Sequence, residues 1–214
     1  MINRGRLDGR FSTGMEIYLS KGLTLRTEKI MYFESPGNRN TDETIQVALD
    51  RAKSLGIRDV VVASTSGETG VKACEVFRGF NVVVVTHHVG FEKPGVPQLH
   101  KLNEEKIRGL GGKIFTGIHG LSGAERAIRM KWNTIEPLEI VSEALRIFGQ
   151  GTKVCVEIVI MAADAGLIPV DRDVLAIAGS DSGADTALLI SPAHANNLFE
   201  MTVREIICKP TIRH

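Results

Sequence analysis

The sequence has few aromatic residues and few cysteines. Aromatic side chains make up 5% of the 214 residues, so the core must be built mainly from Val, Ile, Leu and Ala. The three cysteines lie far apart in the chain and form no C-x-x-C pair. This spacing argues against a disulfide framework and a zinc site, and it favours a reducing compartment. The cysteines are Cys74, Cys155 and Cys208.

Long apolar runs and an excess of one charge are also missing. The longest apolar run, residues 154–163, is interrupted by Glu157 and falls short of the roughly 20 residues that cross a membrane. The 26 basic and 25 acidic residues give a net charge of +1, which offers no reason to expect nucleic acid or a membrane as a partner. No apolar segment follows the arginines near the N-terminus, so no secretory signal is predicted. We expect a cytoplasmic protein.

Three common motifs of nucleotide-binding proteins and hydrolases are absent. The sequence contains no G-x-x-x-x-G-K-[ST], no G-x-G-x-x-G and no G-x-S-x-G. These absences argue against a P-loop, a Rossmann dinucleotide site and a nucleophile elbow. Cys74 and Cys155 lie among apolar neighbours in predicted helices, so a cysteine nucleophile is not expected either.

Apolar, β-branched runs alternate with helical patterns along most of the chain. This alternation predicts an α/β fold with a mainly parallel sheet between two helical layers. The predicted strands are residues 29–33, 59–63, 81–86, 113–116, 174–179, 187–191 and 205–208. The predicted helices are residues 41–55, 71–78, 99–110, 124–131, 137–148 and 152–165.

Two segments depart from this alternation. The short connection around Gly183 predicts an antiparallel hairpin between the fifth and sixth strands, at the end of the sheet. Residues 1–27 mix Arg, Gly and Ser with isolated apolar residues, and they predict a poorly ordered or loosely docked N-terminal arm. Residues 28–214 then form a single domain.

One turn between a predicted strand and a predicted helix combines hydroxyl groups with glycine. It reads Ser64-Thr65-Ser66-Gly67-Glu68-Thr69-Gly70. In an open α/β sheet, ligands bind at the carboxyl ends of the strands, where a helix N-terminus offers free N–H groups and a partial positive charge. The hydroxyls add donors and Gly67 allows close approach of the backbone, so the turn suits a phosphate monoester. A Ser/Thr N-cap explains the same residues, and both interpretations stay open.

Two carboxylates fall on the apolar helix predicted at 152–165. Glu157 and Asp164 are seven residues apart, so they share one face of the helix. Burial makes a carboxylate costly unless it is paired or hydrogen-bonded. Either the two side chains accept hydrogen bonds from the backbone of neighbouring loops, or one of them faces a ligand as acceptor or base.

Histidines mark several of the predicted loops. His87, His88 and His119 follow strands, and His194 lies in a later loop. No H-x-x-x-H or H-E-x-x-H spacing is present, so we expect no metal site. We expect instead that His87 or His119 hydrogen-bonds a ligand.

Two further loops have both a structural and a functional interpretation. In residues 117–126, Ser122 and Gly123 precede Arg126, which suits either a capped helix start or a second anion site. In residues 191–197, Asn196 and its neighbouring amide can hydrogen-bond a polar ring, but a simple turn explains them equally well.

The strand and turn at 60–70 resemble a known family. V-V-V-A-S-T-S-G-E-T-G-V-K-A, followed by N-V-V-V-V-T ending at Thr86, is similar to the C-terminal α/β domain of pyruvate kinase. The resemblance implies a three-layer α/β/α sandwich with a five-stranded mixed sheet and an antiparallel last strand. It also implies that Ser64, Ser66, Gly67 and Thr69 hold a phosphate, as this turn does for the activator of regulated pyruvate kinases. The chain has no room for the barrel that carries catalysis there, so pyruvate kinase activity is not expected.

Longer motifs resemble a stand-alone, mostly archaeal group of pyruvate kinase α/β domain-like proteins. They are Tyr32 to Gly37, Ser122 to Arg126, Lys153 to Asp164, Gly183 to Ala187 and Pro192 to Asn197. This resemblance implies that the protein can hold flavin mononucleotide (FMN), a phosphate monoester with a polar ring. If the protein is an enzyme, flavin redox chemistry is the natural class.

The sequence thus leads to one main hypothesis with an alternative. We predict a protein that binds a small phosphorylated ligand, FMN first, at the carboxyl edge of the sheet; the alternative is a non-catalytic domain for phosphometabolite sensing or for oligomerisation. A homo-oligomer is compatible with both. The predicted binding residues are Ser64, Thr65, Ser66, Gly67, Glu68, Thr69, Thr86, His87, His119, Ser122, Gly123, Glu157 and Asn196.

Overall fold

The computed structural model describes residues 17–20 and 23–212. Strand β1 (Ile17–Ser20) pairs antiparallel with β2 (Leu23–Arg26) in a two-stranded hairpin. The predicted N-terminal arm covers residues 1–27, of which 1–16 and 21–22 lie outside the described residues.

The centre of the domain is a seven-stranded mixed sheet with the order β3-β9-β8-β7-β4-β5-β6. The strands are β3 (Met31–Phe33), β4 (Asp59–Ala63), β5 (Asn81–Thr86), β6 (Lys113–Thr116), β7 (Val174–Ala178), β8 (Thr186–Ser191) and β9 (Thr202–Pro210). The helices are α1 (Thr41–Leu55), α2 (Glu68–Val76), α3 (Lys101–Gly109), α4 (Glu125–Trp132), α5 (Pro137–Arg146) and α6 (Gln150–Asp164). The prediction of an α/β sandwich with a mixed, mostly parallel sheet is confirmed.

Strand β4 has a continuous apolar run because helices cover both faces of the sheet. Val60, Val61 and Val62 are all fully buried, because both faces of the sheet are covered. Val60 and Val62 belong to the core on the side of α1 to α3, whereas Val61 belongs to the core on the side of α6. Each buried valine stabilises the fold by roughly 1.5–3 kcal/mol.

The helical layers follow from periodicity in the same way. On α1, Ile45, Ala48, Leu49 and Ala52 are buried and recur at helical spacing on the face that meets the sheet. The helix ends at Gly56, which takes a left-handed conformation with φ of 69°. On the opposite layer, α6 is buried over most of its length, as its apolar sequence predicts.

Strand directions refine the prediction for the C-terminal half. β7 and β8 form the expected antiparallel hairpin, but it lies inside the sheet and not at its end, because β9 and β3 continue the sheet beyond it. The last strand, β9, is antiparallel to β8 and parallel to β3. The strand whose direction differs from the other six is therefore β8.

The path of the chain reverses beside β4. It advances from β4 to β5 and β6 at one edge, then returns through residues 117–173 to β7, on the other side of β4. Helices α1 to α3 pack on one face of the sheet and α6 on the other. Such a reversal opens a crevice at the carboxyl ends of the adjacent strands, which is where ligands bind in open α/β sheets.

Candidate functional site

Two adjoining cavities open at the carboxyl ends of the central strands. The first, called here the α6 cavity, has a volume of about 930 Å³ and lies between the ends of β4 and β5 and helices α5 and α6. The second, called here the hydroxyl-rich cavity, has a volume of about 850 Å³ and lies between residues 64–72, residues 92–100 and the β7–β8 connection. Both volumes are in the range of small-molecule sites. The two cavities share Ser64, Thr65 and His87 in their common wall.

The 64–70 turn begins α2 and leaves several donors without partners. The Ser64 Oγ accepts a hydrogen bond from the Gly70 N–H at 3.0 Å, so the Ser64 hydroxyl hydrogen stays available. Among the described residues, nothing accepts a hydrogen bond from the backbone N–H groups of Thr65, Ser66 and Thr69. Ser64 and Thr69 are buried, and both line the hydroxyl-rich cavity.

The protein's own packing requires glycine at position 67, whether or not a ligand approaches the turn. Its φ is 94°, a left-handed conformation that favours glycine. A Cβ at this position would lie 2.6 Å from the Asn103 Cβ and 2.7 Å from the Leu99 Cδ1. The start of α3 therefore fills the space beside Gly67, and the Asn103 side chain donates a hydrogen bond to the Ser66 carbonyl at 3.0 Å.

His87 connects the turn to the loop that precedes α3. Its Nδ1 lies 2.7 Å from the Gln98 Oε1, and its Nε2 lies 3.4 Å from the Thr65 Oγ1. With the proton on Nδ1, the ring donates to Gln98 and accepts from Thr65. Burial lowers the pKa of His87 and outweighs the hydrogen bond to Gln98, so the ring is neutral at neutral pH.

Glu157 is the centre of a buried polar cluster in the wall of the α6 cavity. Its side chain accepts a hydrogen bond from the Lys153 Nζ at 2.6 Å and from the Leu121 N–H at 3.2 Å. The His119 Nδ1 lies 3.7 Å from the same carboxylate. Burial alone would raise the pKa of Glu157, but His119 and Lys153 reverse this effect and hold the pKa at about 2.

His119 lies among aromatic rings at the mouth of the α6 cavity. Its ring stacks on Phe91 with a centroid distance of 5.3 Å, and the guanidinium carbon of Arg126 lies 5.0 Å from the centre of the Phe91 ring. The His119 Nε2 is buried and has no hydrogen-bond partner among the described residues. Buried ring nitrogens are usually satisfied. The Nδ1 of the neighbouring His88 is also buried and has no partner among the described residues, so two unsatisfied ring nitrogens lie close together here.

Most of the predicted binding residues meet at this edge of the sheet. The α6 cavity is lined by Ser64, Thr65, Thr86, His87, His119, Ser122 and Glu157. The hydroxyl-rich cavity is lined by Ser64, Thr65, Ser66, Glu68, Thr69 and His87. Gly67 and Gly123 line neither cavity. Ser122 does not cap α4, because that helix begins at Glu125 with Ala124 at its N-cap position.

Asn196 does not belong with the other predicted residues. Strand β8 runs opposite to β7, so the loop that follows it lies at the amino ends of the parallel strands. There the Asp164 Oδ1 accepts hydrogen bonds from the Ala195 N–H and the His194 Nδ1, both at 3.1 Å. The 192–197 loop is thus anchored at the far end of α6, away from the 64–70 turn.

Several residues of the site were missed in the sequence. Lys153 is the ion-pair partner of Glu157, and its position four residues earlier on a helix was a usable signal. Phe91 carries little local signal, because its role depends on contacts with His87 in its own loop and with His119 in the loop after β6. Asp185 is fully buried and accepts hydrogen bonds from the Gly37 and Ser180 N–H groups, so it fixes the wall of the hydroxyl-rich cavity.

The cysteines take no part in the site. All three are buried, and burial raises the pKa of Cys74 to about 11 and of Cys208 to about 12. Burial likewise raises the pKa of Cys155. Within residues 17–20 and 23–212, no helix is long and apolar enough to cross a membrane.

The sequence comparison agrees with this architecture. Residues 42–190 match the family model described as "Pyruvate kinase, alpha/beta domain". The chain belongs to this family. The match begins in α1 and ends within β8, so it includes the 64–70 turn and all residues that line the α6 cavity. It also includes the lining of the hydroxyl-rich cavity except Asn38 and Thr41.

Similarity to solved structures is weaker. Pyruvate kinase of Cryptosporidium parvum in complex with ADP is 12% identical, with 70% of this chain and 22% of that chain covered and a TM-score of 0.33. O-ureido-L-serine synthase is 19% identical, with 58% and 48% covered and a TM-score of 0.29. A mutant of O-ureido-L-serine synthase with bound O-ureido-L-serine is 18% identical, with 50% and 38% covered and a TM-score of 0.29. The chain spans less than half the length of each, so the family assignment rests on the match over residues 42–190.

Proposed function

We propose that this pyruvate kinase alpha/beta domain protein binds a small phosphorylated ligand, with FMN as the first candidate. The observation that carries the proposal is the 64–70 turn. It combines three backbone N–H groups without partners, buried hydroxyls and the positive end of α2 at the mouths of two cavities. The exposed Glu68 carboxylate in the first turn of α2 opposes an anion, so the neutral donors must supply most of the attraction.

The residues of the α6 cavity fit the rest of FMN. Its lining includes the polar residues Thr65, His87 and His119, which suit the ribityl chain and the ring edge. The lining also includes apolar side chains such as Ile140 and Met161, which suit the dimethylbenzene side of a flavin. FMN would supply redox chemistry, and the protein would supply orientation and exclusion of water.

A sensing function is the alternative, and the hydroxyl-rich cavity favours it. Ser66, Thr69, Ser180 and Ser182 line this cavity together with amide and carboxylate side chains. Such a set suits a sugar phosphate, whose hydroxyls need many donors and acceptors. Pyruvate kinase activity itself is not part of either proposal.

Comparison of FMN with riboflavin tests the role of the turn, because the two molecules differ only in the phosphate. Both are titrated into the protein while flavin fluorescence is followed. We expect FMN to bind at least about tenfold more tightly than riboflavin, because riboflavin lacks the phosphate and cannot form the charge-assisted hydrogen bonds to the turn. Thr69→Val should reduce this ratio, because it keeps the side-chain shape and removes the hydroxyl.

Asn196→Ala is the matched control, since Asn196 is exposed at the opposite end of the sheet. It should leave both affinities unchanged. Equal affinity of the wild type for FMN and riboflavin would refute phosphate binding by the turn. Binding of sugar phosphates without any flavin binding would select the sensing function instead.

Assembly of the protein is a separate proposal. Met130, Trp132, Ile135 and Ile147 are each more than half exposed on and beside α4 and α5. An apolar surface of this kind supports a homo-oligomer. Light scattering after size-exclusion chromatography measures the oligomeric state. Trp132→Lys places a charge on this surface and should dissociate the oligomer.

A further inference from the structure

Helices α4 and α5 present an apolar surface that the described part of the chain leaves uncovered. Within that part, α4 buries no side chain, and Ser142 is the one buried residue of α5. Six large apolar side chains between residues 130 and 148 are more than half exposed. They form the surface called here the α4–α5 face: Met130, Trp132, Ile135, Ile140, Ile147 and Phe148. Monomeric proteins rarely expose so much apolar surface in one place, so we expect a partner to cover it.

The short helix α4 also needs a packing partner for its own stability. Polar contacts join it to α5 and its N-terminal approach: the Glu125 Oε2 accepts a hydrogen bond from the Leu138 N–H at 3.1 Å, and the Arg129 Nε lies 2.9 Å from the Glu139 Oε1. Partly exposed pairs of this kind contribute little stability. A helix of eight residues is marginal in water unless packing stabilises it. Burial of its exposed apolar side chains by a partner would supply that packing.

Part of the α4–α5 face is also the mouth of the α6 cavity. Ile135, Ile140 and Ile147 line this cavity, although they are 74%, 62% and 76% exposed. Other lining residues, such as Ser142 and Glu157, are buried. A single copy of the chain therefore leaves the cavity open to water beside these three isoleucines. A partner that covers the α4–α5 face also covers the cavity mouth.

The charges of the two helices favour a second copy of this chain as the partner. Helix α4 has three basic residues and one acidic residue, whereas α5 with its N-cap residue Glu136 has three acidic residues and one basic residue. In a two-fold dimer the same surface meets itself, so α4 of each copy can lie on α5 of the other and opposite charges meet twice. A membrane surface would instead favour basic residues on both helices.

The size of the α4–α5 face is also in the range of a dimer interface. From its exposed fractions, the six side chains present on the order of 600 Å² of apolar area. Each partner in a typical stable interface buries about 800 Å², part of it in a polar rim. The face can thus supply most of the apolar centre of such an interface, with the charged residues of α4 and α5 at its rim.

We propose that a second copy of this chain packs on the α4–α5 face and closes the α6 cavity, so that the ligand site is complete only in a two-fold dimer. Met130 and Trp132 line neither cavity of their own chain, so they are available to cover the cavity of the partner. The inference rests on the proposed function for the α6 cavity as a ligand site. It adds that a ligand in the cavity and the second copy stabilise each other, because the ligand contributes surface to the interface.

Trp132 is the one tryptophan of the sequence, so its fluorescence reports on this face. The tryptophan emission and the light-scattering mass of the wild type are measured over a range of protein concentrations, without ligand. We expect the mass of a dimer at high concentration, with emission at shorter wavelength as Trp132 leaves water. Met130→Glu should prevent both changes, because it places a charge in the interface opposite the acidic α5. Leu102→Glu is the matched control: Leu102 is 72% exposed on α3, on the other face of the sheet, and the change should have no effect.

A thiol at the cavity mouth tests closure without any ligand. Ala144 is exposed and lines the α6 cavity, and Ala144→Cys is a small change. Because the native cysteines are buried, the introduced thiol should be the one that reacts with a thiol reagent. We expect its rate of reaction to fall by about tenfold or more from the monomeric to the dimeric range of concentration. Ser54→Cys, at an exposed position of α1, should react at one rate throughout.

FMN titrations test the link between assembly and the ligand site. Because Met130 lines neither cavity, Met130→Glu can change FMN affinity only through assembly. At concentrations at which the wild type is dimeric, Met130→Glu should weaken FMN binding by about fivefold or more. Leu102→Glu should leave the affinity unchanged.

Several outcomes would overturn the proposal. These are a protein that stays monomeric at every concentration, and a dimer in which the thiol of Ala144→Cys reacts as fast as in the monomer. A shift of Trp132 emission that requires vesicles of phosphatidylcholine and phosphatidylglycerol would assign the face to a membrane instead.

The same measurements separate this proposal from the proposed function. Equal FMN affinity of the wild type and Met130→Glu would refute completion of the site by a second copy and leave FMN binding standing. Protection of the Ala144→Cys thiol in a dimer that binds no FMN would refute the flavin function and leave the closed cavity standing.

Discussion

Removal of one member of the Lys153–Glu157 pair should cost a large part of the protein's stability. The side chains are 7% and 5% exposed, so neither charge can be solvated when the other is lost. A fall in the pKa of Glu157 from 4.5 to about 2 corresponds to a net stabilisation of the ionised form of about 3 kcal/mol. His119 and Lys153 together cause this fall in the pKa. Lys153→Met keeps the side-chain volume but leaves the buried carboxylate without its counter-ion, so it should lower the free energy of unfolding by about 3–5 kcal/mol.

A double-mutant cycle measures the same pair directly. Glu157→Gln leaves an oxygen to accept the Leu121 N–H but strands the Lys153 ammonium. The variant with both Lys153→Met and Glu157→Gln contains no unpaired charge, so it should be more stable than the sum of the single changes by at least about 2 kcal/mol. Urea unfolding followed by circular dichroism gives each value.

The exposed pair Glu104–Arg108 has the same spacing and serves as the control. Its two side chains are 39% and 58% exposed, so Arg108→Met should cost no more than about 0.5 kcal/mol. If Lys153→Met costs as little as Arg108→Met, the buried pair does not stabilise the α6 cavity as argued.

Three further outcomes are expected. The pKa of Glu157 is lower in the folded than in the unfolded protein, so its ionised form stabilises the fold by about 3 kcal/mol above pH 4.5. This stabilisation is lost as the pH falls towards 2. Urea titrations at several pH values should show the loss in the wild type and not in Glu157→Gln. Gly183→Ala should destabilise the protein by more than about 2 kcal/mol, because φ is 72° and the new Cβ would clash with the Thr41 Oγ1. Gly111 has a φ of 85° but open space around it, so Gly111→Ala should lower the free energy of unfolding by only about 1–2 kcal/mol in the same assay. The buried cysteines should react with a thiol reagent only after unfolding, since burial raises the pKa of each thiol.

The strands at the functional edge could be predicted from sequence because their signal is local. Residues 59–63, 81–86 and 113–116 have the same bounds in the prediction and in the structure. Each contains an apolar run bounded by polar or glycine residues, and in β4 and β5 both faces of the sheet bury that run. β6 is an edge strand and is only partly buried. β9 extends beyond its predicted bounds of 205–208, because the exposed Thr202-Val203-Arg204 start of the strand lacks an apolar run.

The arrangement of the loops was harder to predict, because it depends on strand direction and on distant contacts. Asn196 was grouped with the 64–70 turn although the predicted antiparallel β7–β8 hairpin already implied that the following loop lies at the opposite edge. The packing requirement for Gly67 was not predicted, since its neighbours Leu99 and Asn103 lie 32 and 36 residues later in the chain. Glu157 and Asp164 both accept hydrogen bonds from the backbone of neighbouring loops. This is one of the two interpretations that the sequence left open for these carboxylates.

The two halves of the sheet differ in how far their strands are separated along the chain, and this difference sets an order of folding. β4, β5 and β6 follow one another with a single helix between each pair, whereas β3 pairs with β9, so that Thr211 bonds to Phe33 across 178 residues. Contacts between nearby segments form first, because closing a long loop costs more chain entropy. We therefore expect a nascent chain to form β4 to β6, with the 64–70 turn, before its last strand is synthesised. The β3 edge can close only after β9 has been synthesised and has left the ribosome.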